Sequence, residues 1–263
     1  MRVAVAATAA FGADVLERLA AEAEIAYLLT RPDAPAGRGR KLTAPAAKEA
    51  AIALGIPVLQ PERPELPSDA VDAVVVCAYG LLIPDALLAR ALWLNVHPSL
   101  LPRWRGAAPV ERAILAGDEE TGVTIHETVK ELDAGPIAAQ ERFPIGPEDD
   151  AGAVFRHSAE VAARLLTTVV PAPTFTPQPS EGATYAQKIA PDDRRLDLSN
   201  PVDAWRRVRA LSPHIGAWAM LHGRRITVWT ARLDGGELVP EEVQPEGKRR
   251  MSYDEFLRGV REP

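Results

Sequence analysis

An amide and an imidazole stand two residues apart in Asn95-Val96-His97-Pro98-Ser99-Leu100-Leu101-Pro102, and a carboxylate follows in Leu132-Asp133-Ala134-Gly135-Pro136. A carboxamide and a neutral imidazole can each donate a hydrogen bond to a developing oxyanion, while a carboxylate can orient the histidine or accept a proton through water. These are the parts of an acyl-transfer site, where a carbonyl carbon becomes tetrahedral and a proton has to move. The plainer alternative is an Asn and a His that only finish a strand. Zinc held by His97, His126 and Asp133 is a further rival, but no carboxylate that would orient a ligating histidine is identifiable, so no metal is expected. His157, His214 and His222 read as structural or surface residues.

The elements that must position these residues follow from periodicity. Val3 to Ala7 is a short apolar run, residues 14–23 show helical spacing through Val15, Leu16 and Leu19, and Ile25 to Leu29 reads as the next strand. Strand, helix, strand at this pace indicates a parallel sheet. The pattern continues with a helix over 46–54, a strand over 57–59 and the Val-rich run 73–77, whose lack of alternation suits a strand covered on both faces. A helix over 85–91 leads into a strand over 93–96, so Asn95 and His97 fall at the carboxyl end of a central strand, where open α/β sheets bind ligands. Gly122 to His126 and Gly135 to Phe143 read as two more strands with Asp133 in the turn between them, and a helix over 151–169 follows. The proline-rich stretch from Pro171 to Pro179 reads as a semi-rigid extended linker. Beyond it, 201–211 looks helical, and 217–221 with 225–231 looks like a hairpin around His222-Gly223. The expected organisation is a catalytic domain over 1–170, a linker over 171–193 and a small β-rich domain over 194–263.

Composition narrows the function. With 263 residues the chain is long enough for a sizeable core, and no run of about 18 apolar residues exists to span a bilayer, which points to the cytoplasm. The single Cys77 excludes an intramolecular disulfide and a thiolate metal cluster, and in its Val-rich run it reads as a buried, inert thiol. The first strand-to-helix turn, Ala6 to Gly12, lacks the glycine fingerprint of dinucleotide binding. There is no P-loop, nucleophile elbow or zinc helix. Net charge is −6, but residues 1–187 carry 16 Lys and Arg against 24 Asp and Glu, whereas residues 188–263 carry 14 against 12. The basic residues of that tail, clustered at Arg194-Arg195, Arg206-Arg207, Arg209, Arg224-Arg225 and Lys248 to Arg250, either pair with nearby acids or face a polyanion.

The run Asn95 to Pro109 with Asp133-Ala134-Gly135 resembles the folate-dependent formyltransferases, and Ser99 to Pro109 is most similar to the methionyl-tRNA formyltransferases within that family. The segment Pro32 to Leu42 is similar to the family's arginine loop, Ala78-Tyr79-Gly80 to its folate-side loop, and Thr184-Tyr185-Ala186 with Lys188-Ile189 to its interdomain segment. The resemblance implies a Rossmann-like, mostly parallel sheet domain followed by a small, truncated OB-like β-barrel, since only Glu237 to Glu246 separate Asp234-Gly235-Gly236 from Gly247. It implies 10-formyltetrahydrofolate as co-substrate and the α-amino group of initiator methionyl-tRNA as acceptor; a monomer is expected. By position, Asn95, His97 and Asp133 would be catalytic, and Ser99, Leu100, Leu101, Pro102, Tyr79 and Gly80 would border the folate. Arg38, Arg40 and Lys41 would enter the acceptor-stem region. Two alternatives stay open: the same chemistry on an amino sugar or other small amine, and a non-catalytic RNA-binding paralogue.

Overall fold

The computed structural model describes residues 1–36, 40–67 and 70–261. The chain forms two compact units, the first made of Met1–Arg105, Gly122–Arg142 and Phe155–Tyr185, the second of Gly106–Thr121, Phe143–Val154 and Ala186–Pro263.

The first unit is built on a sheet whose strands lie in the order Ile137–Pro144, Glu120–Glu127, Trp93–His97, Ala73–Cys77, Arg2–Ala7, Glu24–Leu29 and Val58–Leu59. From Trp93–His97 to Val58–Leu59 all pairings are parallel, and Trp93–His97 pairs antiparallel with Glu120–Glu127. All five residues of Ala73–Cys77 are buried, as a β-branched strand covered on both faces should be. Helix Ala10–Ala20 packs closely on this centre because of Gly12: a Cβ there would lie 2.6 Å from the Cys77 carbonyl oxygen and 2.7 Å from Ala7 Cβ. One side of the core gathers Tyr27, Leu29, Val76, Tyr79, Ile83 and Trp93. The helix expected over 85–91 is shorter, Asp85–Leu88, and the indole of Trp93 donates to the Leu87 carbonyl at 2.9 Å.

Apart from this sheet, Ala34–Ala36 and Lys41–Thr43 form a two-stranded antiparallel ribbon. Its base is tied by Asp33, whose carboxylate accepts from Lys48 Nζ at 2.8 and 2.9 Å and from Gln60 Nε2 at 2.8 Å. The Lys48 hydrogen bonds, helped by Gln60, hold Asp33 below the usual carboxylate range. Arg40 and Lys41 are exposed, while Arg38 lies outside the described residues.

In the second unit helices Pro109–Ala116 and Pro201–Leu211 pack together. The latter starts where expected, with Pro201 in its first turn and Asn200 Oδ1 accepting from the Asp203 amide at 3.3 Å. The strands Ala217–Leu221, Arg224–Asp234, Glu237–Pro245 and Met251–Ser252 form an antiparallel sheet in that order, and helix Tyr253–Arg261 packs on the last two. The first hairpin turns at His222-Gly223, both with positive φ, as the two-residue turn requires. The third strand carries Pro240, Pro245 and three glutamates, which hide it from a periodicity reading.

Candidate active site

Asn95 and His97 are two residues apart on one strand, so the pleat places both side chains on the same face. The antiparallel neighbour puts His126 directly opposite Asn95 and Thr124 opposite His97. That register brings a second imidazole to the carboxamide. The loop after Glu127 returns to the strand through Asp133, which adopts the left-handed region at φ +48°. Gly135 then lies so close to the Glu127 carbonyl oxygen that a Cβ would overlap it, and that Cβ would sit 3.3 Å from His126 Nδ1. Only glycine lets the loop carry Asp133 to the two histidines.

Hydrogen-bond chemistry then places the protons. The Glu127 carbonyl can only accept, and it lies 2.8 Å from His126 Nδ1, so Nδ1 carries the proton and Nε2 the lone pair. That lone pair accepts from Asn95 Nδ2 at 3.0 Å, and Asn95 Nδ2 also donates to Asp133 Oδ1 at 3.2 Å. Across the group, His97 Nε2 donates to the Trp104 carbonyl at 2.8 Å, which turns Nδ1 towards Asp133 Oδ2 at 3.7 Å, beyond a direct hydrogen bond. The sequence alone suggests a neutral His97 that donates to an oxyanion; in the structure its only N–H is spent on Trp104, so the neutral ring presents an acceptor.

His97 is 4% and His126 2% exposed, and the Asp133 side chain 11%. Burial pushes the His97 imidazole below its ordinary value, and the Asp133 charge and the Trp104 carbonyl pull the other way. The depressed value favours the uncharged ring, whose Nδ1 lone pair then lies beside the Asp133 carboxylate. Among the described residues no group of three or more His, Cys, Asp and Glu is arranged to hold a metal ion. The lone pair that zinc would need on His126 is already engaged by Asn95.

The loop after His97 is held rigid by its own polar groups. Ser99 Oγ donates to the Arg103 carbonyl at 2.7 Å, Thr124 Oγ1 donates to the Ser99 carbonyl at 2.7 Å, and Gln140 Nε2 donates to the Leu101 carbonyl at 3.0 Å. Ser99 and Leu101 are buried, whereas Leu100 and Pro102 are partly exposed. The ring of Tyr79 lies in the core and its hydroxyl has no hydrogen-bond partner among the described residues. Its carbonyl accepts from Thr8 Oγ1 at 2.8 Å, and the flanking Ala78 and Gly80, both with positive φ, are exposed. At 78–80 it is thus the backbone that a ligand would meet. His126 reads from sequence only as a candidate metal ligand; its position opposite Asn95 depends on a strand register that one sequence does not reveal.

A family model described as formyl transferase matches residues 1–170, and one described as formyl transferase, C-terminal domain, matches residues 188–238. The chain belongs to the formyl transferase family. This formyl transferase is 40% identical to the methionyl-tRNA formyltransferase of Paracoccus denitrificans, with 100% of the chain and 99% of that protein covered. It is 40% identical to that of Alcanivorax borkumensis, with 98% and 91% covered. Among solved structures it is similar in fold to HypX from Aquifex aeolicus, at a TM-score of 0.69 and 16% identity, where 99% of this chain covers 49% of the other. It is also similar in fold to a methionyl-tRNA formyltransferase from Clostridium thermocellum, at a TM-score of 0.64 and 15% identity, with 93% and 98% covered.

The basic clusters of the C-terminal formyl transferase unit separate into two kinds. Arg194 donates to the Gly216 and Ile215 carbonyls at 3.0 and 2.8 Å, Arg209 to the Asp149 and Gly146 carbonyls at 2.8 Å each, and Arg207 to Asp203 at 3.1 Å. Those guanidinium groups brace the unit itself. Arg195, Arg224 and Arg225 are exposed, and the guanidinium carbons of Arg225 and Arg195 lie 4.1 and 5.9 Å from the Trp218 ring centroid.

Proposed function

We propose that the chain transfers the formyl group of 10-formyltetrahydrofolate to the α-amino group of methionine esterified to initiator tRNA, acting in the cytoplasm as a monomer at the start of translation. What carries the reading is the joint occurrence of 40% identity to methionyl-tRNA formyltransferases over nearly the whole chain and the group of Asn95, Asp133 and the buried His97. In this reading Nδ1 of His97 takes a proton from the amine as its nitrogen bonds to the formyl carbon. Asn95 exchanges its longer hydrogen bond, the one to Asp133 Oδ1, for one to the oxyanion, and Asp133 steadies the imidazolium. His97 returns the proton to the donor nitrogen as its bond to the formyl carbon breaks, so one C–N bond forms, one breaks, and one proton crosses.

Leu100 and Pro102 with the 78–80 backbone would border the folate, and the Ser99 and Leu101 bonds would keep that wall rigid. Arg38, Arg40 and Lys41 would reach the acceptor arm, and Arg195, Arg224 and Arg225 around Trp218 would contact RNA. Residues 1–170 would carry the transfer and residues 194–263 the tRNA contact. A sugar acceptor would give no reason for either basic feature. The test is turnover of 10-formyltetrahydrofolate with methionyl-tRNA and with nucleotide-linked amino sugars: formyl-methionyl-tRNA is expected, and product on sugars alone would overturn the assignment.

A further inference from the structure

The proline-rich stretch that reads as a spacer in the sequence is stitched into the first unit. Thr176 and Ile137 exchange both backbone hydrogen bonds, at 2.8 and 2.9 Å. Two residues later Gln178 is partly buried, while 174–177 and Pro179 are exposed. Its Nε2 donates to the Asp133 carbonyl and to the Gly135 carbonyl, both at 2.8 Å, and its Oε1 accepts from Arg105 Nε at 3.1 Å and Nη2 at 2.6 Å. The orientation of this amide is chemically forced, because two backbone carbonyls only accept and a guanidinium only donates.

We propose that Gln178, held by Arg105, is a positioning residue that aims the Asp133 carboxylate. The inference rests on the reading of Asn95, His97 and Asp133 as the catalytic group. Gln178 grips the backbone on both sides of Ala134, where Asp133 takes its left-handed conformation, and the same short segment that supplies Arg105 supplies the Trp104 carbonyl that holds His97. The result is a closed ring: His97 to Trp104, along the chain to Arg105, across to Gln178, and on to Asp133, which faces His97 again at 3.7 Å. One piece of backbone and one amide set the separation of the base from the carboxylate that stabilises it.

The experiment compares Gln178→Ala, Gln178→Glu and Asp133→Asn. Misplacing the carboxylate should lower kcat about 10- to 100-fold in Gln178→Ala while KM for both substrates stays within about twofold. Gln178→Glu keeps its size and its pairing with Arg105 but turns an acceptor towards two carbonyl oxygens, so it should be no more active; restored activity would make the residue a mere partner for Arg105 and overturn the proposal. In an Asp133→Asn background Gln178→Ala should cost nothing further, and a full additional loss would also overturn it. Hydrogen exchange of residues 131–136, which needs no turnover, should quicken in Gln178→Ala, and unchanged protection would sink the clamp. A native chain without formyl transfer to any acceptor would reject the proposed function, with the exchange result still deciding the clamp. A native chain that turns over, is crippled by Asp133→Asn and is indifferent to Gln178→Ala would reject the clamp alone.

Discussion

In the proposed reaction His97 is the residue whose charge changes, and its two ring nitrogens meet different partners: Nε2 is tied to the Trp104 carbonyl, Nδ1 faces the carboxylate. Asn95→Ala or His97→Ala should therefore lower kcat by about 100-fold or more, as loss of a preorganised group does at such sites, whereas a non-catalytic RNA-binding role would leave tRNA binding as the only measurable function in wild type and variant alike. The pH profile should show an acid limb below the ordinary histidine value, because burial depresses the His97 value and only the neutral ring accepts a proton. Asp133 opposes that depression, so Asp133→Asn should move the acid limb to still lower pH, which a kcat titration of both proteins would reveal. The same shift has a stability consequence. His97 binds its proton more readily unfolded than folded, so its contribution is full above about pH 6.5 and is lost as pH falls through that value towards the folded one. Urea midpoints of wild type relative to His97→Asn at pH 7 and pH 5 should converge.

At the scale of elements, two close approaches place the site. Gly12 lets the first helix rest against the carboxyl ends of Arg2–Ala7 and Ala73–Cys77, and a Cβ would strike backbone and a buried side chain that cannot yield cheaply. Gly12→Ala should cost about 2 kcal/mol or more, as overpacking in a core does, seen as a lowered thermal midpoint. Gly135 has a different duty, since its neighbours are the Glu127 carbonyl and His126 on the strand beside Asn95. Gly135→Ala would push the Asp133 loop off that strand, so we expect a kcat loss of about 100-fold with a much smaller change in thermal midpoint. The contrast between the two alanines distinguishes a glycine that builds the sheet's cover from one that builds the reaction centre.

Over the whole molecule, net charge says little about where a polyanion would bind, because most of the clustered arginines of the second unit are committed to its own carbonyls and carboxylates. Arg209→Ala would strand the Gly146 and Asp149 carbonyls and should cost about 2 kcal/mol of stability. Arg225→Ala removes only a stacking interaction with Trp218 and should spare the thermal midpoint. It should instead make tRNA binding less sensitive to salt: with one phosphate no longer neutralised, the slope of log affinity against log salt should become shallower by about one. An unchanged slope would remove Arg225 from the RNA-binding set.

The sheet and its direction were legible in the chain because they depend on local order, namely apolar runs of strand length and helical spacing between them; Asn95 and His97, separated by one residue on a strand end, left a purely structural reading open, and it was the resemblance of the flanking residues that pointed to formyl transfer. Asp133 was recognisable by the same local logic, as an acid in the turn between two strands. What tertiary structure alone decided is everything that depends on register and return paths. Only the antiparallel pairing places His126 opposite Asn95, only the folding-back of 171–179 puts the Gln178 amide on the Asp133 loop, and only packing shows which arginines are braces. Pro240 and Pro245 hid a strand that its cross-strand partners nonetheless hold. A sequence records which residues can hydrogen-bond; which of them meet is set by long-range pairings whose side-chain partners lie tens of residues away, and no local pattern encodes those distances.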